Sequence, residues 1–229
     1  MKSNPFVDFF NLMYPDLCLV CGENLIKTEQ HLCLSCLHSI PKTNFHLQID
    51  NPIEKRFWGK VSVFRCTAFF FFQKGSPFQK LLHSLKYKGN KEIGELLGKY
   101  AACDLIDSKD FSTVDVIIPV PLHPTKYKTR GYNQSEWIGK GLSEILQKPQ
   151  DITSLIRLKE NTTQTKKSVF ERYENTEGIF ELRDIEILKG KHVLLVDDVL
   201  TTGSTLEACI KSLQKVNGIK ISVFTLALA

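Results

Sequence analysis

Val193-Leu194-Leu195-Val196-Asp197-Asp198-Val199-Leu200-Thr201-Thr202-Gly203-Ser204-Thr205 is the stretch from which the rest of the chain is best read. Four apolar residues lead into two adjacent carboxylates, then into hydroxyls around one glycine, then into an amphipathic segment. That order spells a buried strand, an acidic tip, a tight loop and a helix start. An apolar run of this length suits a central parallel strand covered on both faces. Open α/β sheets place ligands at the carboxyl ends of their strands, where Asp197 and Asp198 would emerge. Thr201 to Thr205 would meet an anion with backbone N–H groups and hydroxyls at the positive end of the next helix. The segment therefore offers an anion cradle beside an acid pair suited to a diol or a metal. An ordinary strand-to-helix turn needs a capping hydroxyl but not two acids in front of it.

The flanking sequence repeats the strand-then-helix order. Val61 to Phe72 is β-branched and aromatic and reads as a strand. Gly75-Ser76-Pro77 follows as a helix start, with Ser76 as cap and Pro77 at the first helical position. Leu81, Leu82 and Leu85 give that helix an apolar face, and Gly89 ends it. Lys86 near its end reads equally as a phosphate ligand or as a solvated lysine. A second helix is expected from about Lys91 to Ile106. Val114 to Pro121 is another buried strand, and residues 123–134 after it form a basic loop in which Gly131 permits close backbone approach. Such a loop suits a polyanion or is simply solvated. Ser135 to Leu146 is helical, Leu155 to Lys159 is a short strand, and residues 160–168 are polar without periodicity. Leu206 to Val216 is a helix and Ile221 to Ala229 a final apolar strand. This alternation argues for a parallel sheet flanked by helices.

The first 40 residues differ in kind. Pro5 to Tyr14 has apolar residues at helical spacing. Cys18-x2-Cys21 and Cys33-x2-Cys36 follow, two pairs that can close a tetrahedral four-thiolate site on zinc. Gly22 suits the knuckle turn, and His31 and His38 stand nearby as unneeded alternates. A closed site is structural, since a catalytic zinc keeps a position for water. The ribbon so formed either staples the chain or binds a protein or nucleic acid. Cys66, Cys103 and Cys209 stand singly and read as buried thiols. Residues 41–60 read as a linker, docked by Phe57 and Trp58, so the expected organisation is a ribbon over 1–40, a linker over 41–60 and a main domain over 61–229.

The 229 residues carry 42% hydrophobic side chains, enough for a packed core and against disorder. No apolar run approaches the roughly 20 residues that cross a bilayer, and no signal-peptide order opens the chain. A cytoplasmic location is the expectation. The net charge of +5 falls by two, to +3, if one zinc ion takes four thiolates. Such a balance is compatible with phosphate ligands or nucleic acid and establishes neither.

The opening stretch resembles the phosphoribosyl pyrophosphate (PRPP) loop of the type I phosphoribosyltransferases: apolar residues, two acids, two variable positions, then Thr-Thr-Gly-x-Thr. The resemblance narrows with Ile118-Pro119-Val120-Pro121-Leu122-His123 followed by Arg130-Gly131-Tyr132-Asn133-Gln134. These segments are similar to those of the ComF family, whose members often carry a four-cysteine zinc module. Arg157, Gln164, Arg172, Asn175 and Phe180 also sit at that family's spacing. Asn161 and Lys167 depart from it, where threonine and an apolar residue are common. The resemblance implies a type I phosphoribosyltransferase fold with a small N-terminal zinc ribbon, and PRPP with Mg2+ as ligand. It implies that Asp197 and Asp198 face the ribose hydroxyls. It places Val199 and Leu200 within the PRPP-binding stretch, Thr201, Thr202, Gly203, Ser204 and Thr205 at the 5′-phosphate, and His123, Arg130, Asn133 and Gln134 at pyrophosphate. Gln164 and Arg172 fall in a hood over the reacting centre, and Zn2+ goes to Cys18, Cys21, Cys33 and Cys36.

Two functions of different class follow. One is a PRPP-binding protein of natural competence that handles single-stranded DNA, with a competence helicase-like motor as a partner. The other is an active transferase moving phosphoribosyl from PRPP to a base or amine with release of pyrophosphate. Lys126, Lys128, Arg130, Lys166 and Lys167, interleaved with Tyr127 and Tyr132, suit a single strand by charge and stacking. They suit pyrophosphate as well.

Overall fold

The computed structural model describes residues 15–158 and 178–229. The apolar stretch 5–14 and the expected hood, with Gln164, Lys166, Lys167, Arg172 and Asn175, lie outside the described residues. After the cysteine pairs comes a short helix, α1 (Leu34–His38), then a 3-10 turn at Phe45–Leu47 and α2 (Pro52–Phe57). The main body continues with β1 (Arg65–Phe71), α3 (Gln79–Tyr87), α4 (Glu92–Leu105), β2 (Val116–Pro119), α5 (Pro124–Arg130) and α6 (Gln134–Leu146). A short ribbon, β3 (Leu155–Arg157) with β4 (Phe180–Leu182), precedes α7 (Ile185–Leu188), β5 (His192–Leu200), α8 (Ser204–Leu213) and β6 (Lys220–Leu228). The expected Val61 to Phe72 strand is shorter at both ends, and the last helix starts two residues earlier than Leu206.

The sheet runs β1-β6-β5-β2 with every pair parallel. This is the expected helix-flanked parallel sheet. β5 lies inside it, and Val193 to Val196 are fully buried because both faces are covered. Alternate side chains serve the two layers. Leu194 and Val196 pack with Ile117, Phe224 and the faces of α4 and α6, whereas Val193 and Leu195 pack with Ile118, Val223 and α8. The antiparallel β3–β4 pair stands apart and joins the two ends of the segment 159–177.

Three local readings change. The segment 123–134 is not an open loop: Pro124 opens a helix that His123 caps through Thr125 N–H, and Gly131 closes it at φ +79°. Ser76 does not cap α3, which starts after Phe78 without a side-chain cap; Gln79 instead accepts the Gly75 N–H at 2.7 Å, and single turns over Ser76–Leu81 lead into the helix. Residues 41–60 dock, as expected, but through a different set of side chains. Asn51 caps α2 and donates to the Cys66 carbonyl at 2.8 Å, Glu54 accepts the Cys66 N–H at 3.1 Å, and Phe57 is buried. Trp58 does not dock; it is 57% exposed, beneath the Lys55 ammonium. Of the single thiols, Cys66 and Cys209 are buried and Cys103 is exposed.

α4 and α6 approach closely because glycines line their contact. A Cβ on Gly141 would strike the Glu95 carbonyl oxygen, and one on Gly98 the Ile138 carbonyl oxygen, backbone atoms that cannot rotate away. This contact fixes the height at which α6 presents Ser135 to the strand end. Gly141→Ala is expected to cost about 3 kcal/mol, as overpacking does, read as a lower midpoint in urea with unchanged slope.

Candidate functional site

β5 carries its acids where open parallel sheets expose their ligand edge. Asp197 pairs in register with Thr225, and Leu200 with Leu228, so the strand is held to its tip. Gly203, at φ +82°, turns the chain into the ten-residue helix α8, a backbone conformation that glycine adopts without strain. Thr202 and Ser204 hydroxyls lie 3.1 Å apart over that start. Asp197, Val199 and Leu200 through Thr205 enclose a concavity of about 40 Å3. α2 braces it from behind. The Arg56 guanidinium donates to the Thr201 carbonyl and, at 3.4 Å, to that of Ala229, and Phe57 lies against Gly203. Only an aromatic pair had pointed to this contact in the sequence; Arg56 had no signal.

The two acids differ in their surroundings. Asp197 accepts the Asp198 N–H at 2.8 Å and the Ser135 hydroxyl, from the first turn of α6, at 3.1 Å. Asp198 accepts the Lys86 ammonium at 2.9 Å, with these side chains 14% and 24% exposed. Burial, and then the like charge of Asp198, push the Asp197 carboxyl up to about 7, against the opposing hydrogen bonds and Lys86. Lys86 is not the solvated lysine of one of the two readings: the structure places it, mostly buried, at the acid pair. Ser135 was read only as a helix residue.

Among the expected pyrophosphate residues, Arg130 and Gln134 come together. The guanidinium donates to Gln134 Oε1 at 2.9 Å and stands 5.7 Å above the exposed Tyr87 ring of α3. The Gln134 amide nitrogen is buried without a partner among the described residues. Asn133 is 2% exposed, and its amide is engaged with the Val120 carbonyl at 3.0 Å, the Glu136 carboxyl at 3.2 Å and the Ser135 N–H at 3.1 Å. It caps α6 and so orients Ser135. His123 caps α5. Tyr132 is buried and donates to the Leu85 carbonyl, so its ring is closed to stacking, whereas Tyr127 is exposed.

The four cysteines of the N-terminal pairs converge, with all sulfurs within 4.8 Å of one another. Cys21 and Cys33 Sγ lie 3.8 Å apart, the separation that two thiolates take on one tetrahedral zinc at about 2.3 Å. Gly22 turns at φ +83°, and N–H groups of Glu23, Cys33 and Cys36 point at Cys21, Cys18 and Cys33 sulfurs at 3.4–3.5 Å. Burial raises the Cys18 thiol, but N–H groups of Cys33, Cys21 and Val20 outweigh it and hold it at about 6. The set can hold a metal ion. Lys80 of α3 ties this ribbon to the main body through the Val20 carbonyl at 3.0 Å. Among the described residues no helix is long and apolar enough to cross a membrane.

Residues 134–228 match the phosphoribosyl transferase domain family, so the strand end described above belongs to a phosphoribosyltransferase-like domain. The chain is 32% identical over 157 residues to Competence protein F of Haemophilus influenzae, covering 67% of this chain and 69% of that one. It is 28% identical over 194 residues to the DNA utilization protein YhgH of Escherichia coli, covering 83% and 80%. It is 36% identical over 112 residues to Competence protein ComFC of Bacillus subtilis, covering 48% and 43%. The chain belongs to the ComF family.

A carboxyl that keeps its proton in the folded chain stabilises the fold fully below pH 3.8, and that contribution is lost as pH rises through about 7. Carbon-13 NMR of labelled aspartates is expected to show Asp197 taking up a proton with an apparent midpoint near 7. Asp198→Asn is expected to bring the remaining carboxyl down. Ordinary titration of Asp197 in the wild-type chain would contradict the account.

Proposed function

We propose that the strand-end site binds PRPP with Mg2+, and that the chain serves the handling of incoming single-stranded DNA in natural competence. The observation that carries this reading is the acid pair at the carboxyl end of β5, directly before a glycine-led turn into α8. In this arrangement, backbone N–H groups and hydroxyls of Thr201 to Thr205 hold the 5′-phosphate. Asp197 and Asp198, which accept hydrogen bonds when ionised, take those of the ribose hydroxyls. Arg130 and Gln134 stand on the pyrophosphate side, with His123 and Asn133 shaping the segment that carries them. Gln164 and Arg172 are assigned to the reacting centre by family resemblance. Mg2+ favours oxygen ligands and few protein carboxylates, and it offsets the charge of the ligand's phosphates when bound with them. Asp197 and Asp198 are the oxygen donors this chain brings to that place.

The DNA side of the proposal draws on the relatives' names, DNA utilization protein and competence protein. Exposed Lys126, Tyr127 and Lys128 on α5 suit a single strand beside the phosphoribosyl site. A helicase-like motor of the competence apparatus is the protein partner this role calls for, in the cytoplasm. The four thiolates hold one structural Zn2+ that closes the ribbon, which Lys80 ties to α3. Pyrophosphate release that depends on one added base or amine would instead make the chain a transferase.

Replacing both acids, Asp197→Asn with Asp198→Asn, is expected to abolish PRPP binding in calorimetry while leaving the circular dichroism spectrum unchanged. PRPP affinity equal to wild type would refute the site. Metal analysis is expected to find one zinc per chain, lost in Cys33→Ser; a fully folded wild-type protein without metal would refute the zinc assignment.

A further inference from the structure

Three consecutive residues at the end of α3 touch three parts of the site. The Leu85 carbonyl accepts the Tyr132 hydroxyl, Lys86 reaches Asp198, and the Tyr87 ring lies beneath the Arg130 guanidinium. Tyr132 and Arg130 belong to the segment 123–134, and Asp198 to β5. Lys86 is thus held where the two meet. On one side of it the Leu85 carbonyl is held by Tyr132, and on the other the Tyr87 ring packs under Arg130. α3 lies outside the 134–228 domain match, and the strand-end motif does not call for a cation there.

An ammonium carries three N–H donors, and Asp198 is the partner it has among the described residues. Asp198 is also one of the acids assigned to the ribose diol. A hydroxyl arriving at that carboxylate competes with Lys86 for its oxygens. A partly buried ammonium that gives up one carboxylate needs another anion in reach. The neighbouring anion is then the ligand's own pyrophosphate, on the side marked by Arg130 and Gln134. The flexible lysine stem lets the charge move between the two without moving α3.

We propose that Lys86 is a ligand-positioning cation, paired with Asp198 in the free chain and with the pyrophosphate group of the bound ligand. This rests on the phosphoribosyl reading above. A lysine that merely neutralises Asp198 would affect every ligand of the acid pair alike. A lysine that meets pyrophosphate separates PRPP from ribose 5-phosphate, which has the same diol and 5′-phosphate but a neutral hydroxyl in place of the anion at C1.

Calorimetric titrations of both sugar phosphates with Mg2+ into wild type, Lys86→Met and Lys86→Arg test this. Lys86→Met is expected to weaken PRPP about tenfold or more, as loss of a charge-assisted hydrogen bond does, and ribose 5-phosphate by less than about threefold. Lys86→Arg is expected to recover most of the PRPP affinity. Equal weakening of both ligands, or unchanged PRPP affinity, would overturn the proposal while the phosphoribosyl reading stands. If wild type binds neither sugar phosphate, that reading fails and this one with it. Melting temperatures report on the fold, and Lys86→Gln, which can still donate to Asp198, replaces the methionine variant should the latter melt early.

Discussion

Two carboxylates on adjacent residues at the tip of a buried strand are an electrostatic liability, and the surrounding structure is arranged around them. Like charges this close resist joint ionisation, more so as water is withdrawn. Here the Asp198 N–H and the Ser135 hydroxyl serve Asp197, and the Lys86 ammonium serves Asp198. Each donor comes from a different element, β5, α6 and α3. The packing of α4 against α6 through glycines, and the cap that Asn133 places on α6, are what bring Ser135 to the strand end.

The same tip is supported from below. α2, fastened to β1 by Asn51 and Glu54, sets Arg56 on the carbonyls of Thr201 and Ala229 and Phe57 against Gly203. With the Thr201 carbonyl turned to Arg56, the turn is left to direct N–H groups at an anion. The ribbon is tied by Lys80 to α3, the helix that also presents Lys86. Metal at the four thiolates and cation at the acid pair therefore act on opposite ends of one short helix.

Much of this was legible in the residues because periodicity and motif agree. The apolar run Val193 to Val196 announced a central strand, and it is fully buried. The spacing of Cys18, Cys21, Cys33 and Cys36 announced one cluster, and the sulfurs converge. What sequence hid was long-range. Lys86 reads like any helix-end lysine until the fold carries it to Asp198, and Arg56 sits in a stretch read as linker because two prolines and mixed polarity masked a short helix capped by Asn51. The segment 123–134 read as loop because its charges drew attention away from the His123-Pro124 start and the Gly131 stop of α5. Tyr132 read as a stacking ring although it is buried, since burial of a tyrosine beside basic residues is set by the neighbour it meets, here Leu85.

The most direct measurement is the structure of the chain crystallised with PRPP and Mg2+. The account predicts the 5′-phosphate on the N–H groups of Thr201 to Thr205 and the ribose hydroxyls on Asp197 and Asp198. A ligand seated elsewhere on the chain, or an empty strand end at saturating ligand, would contradict it.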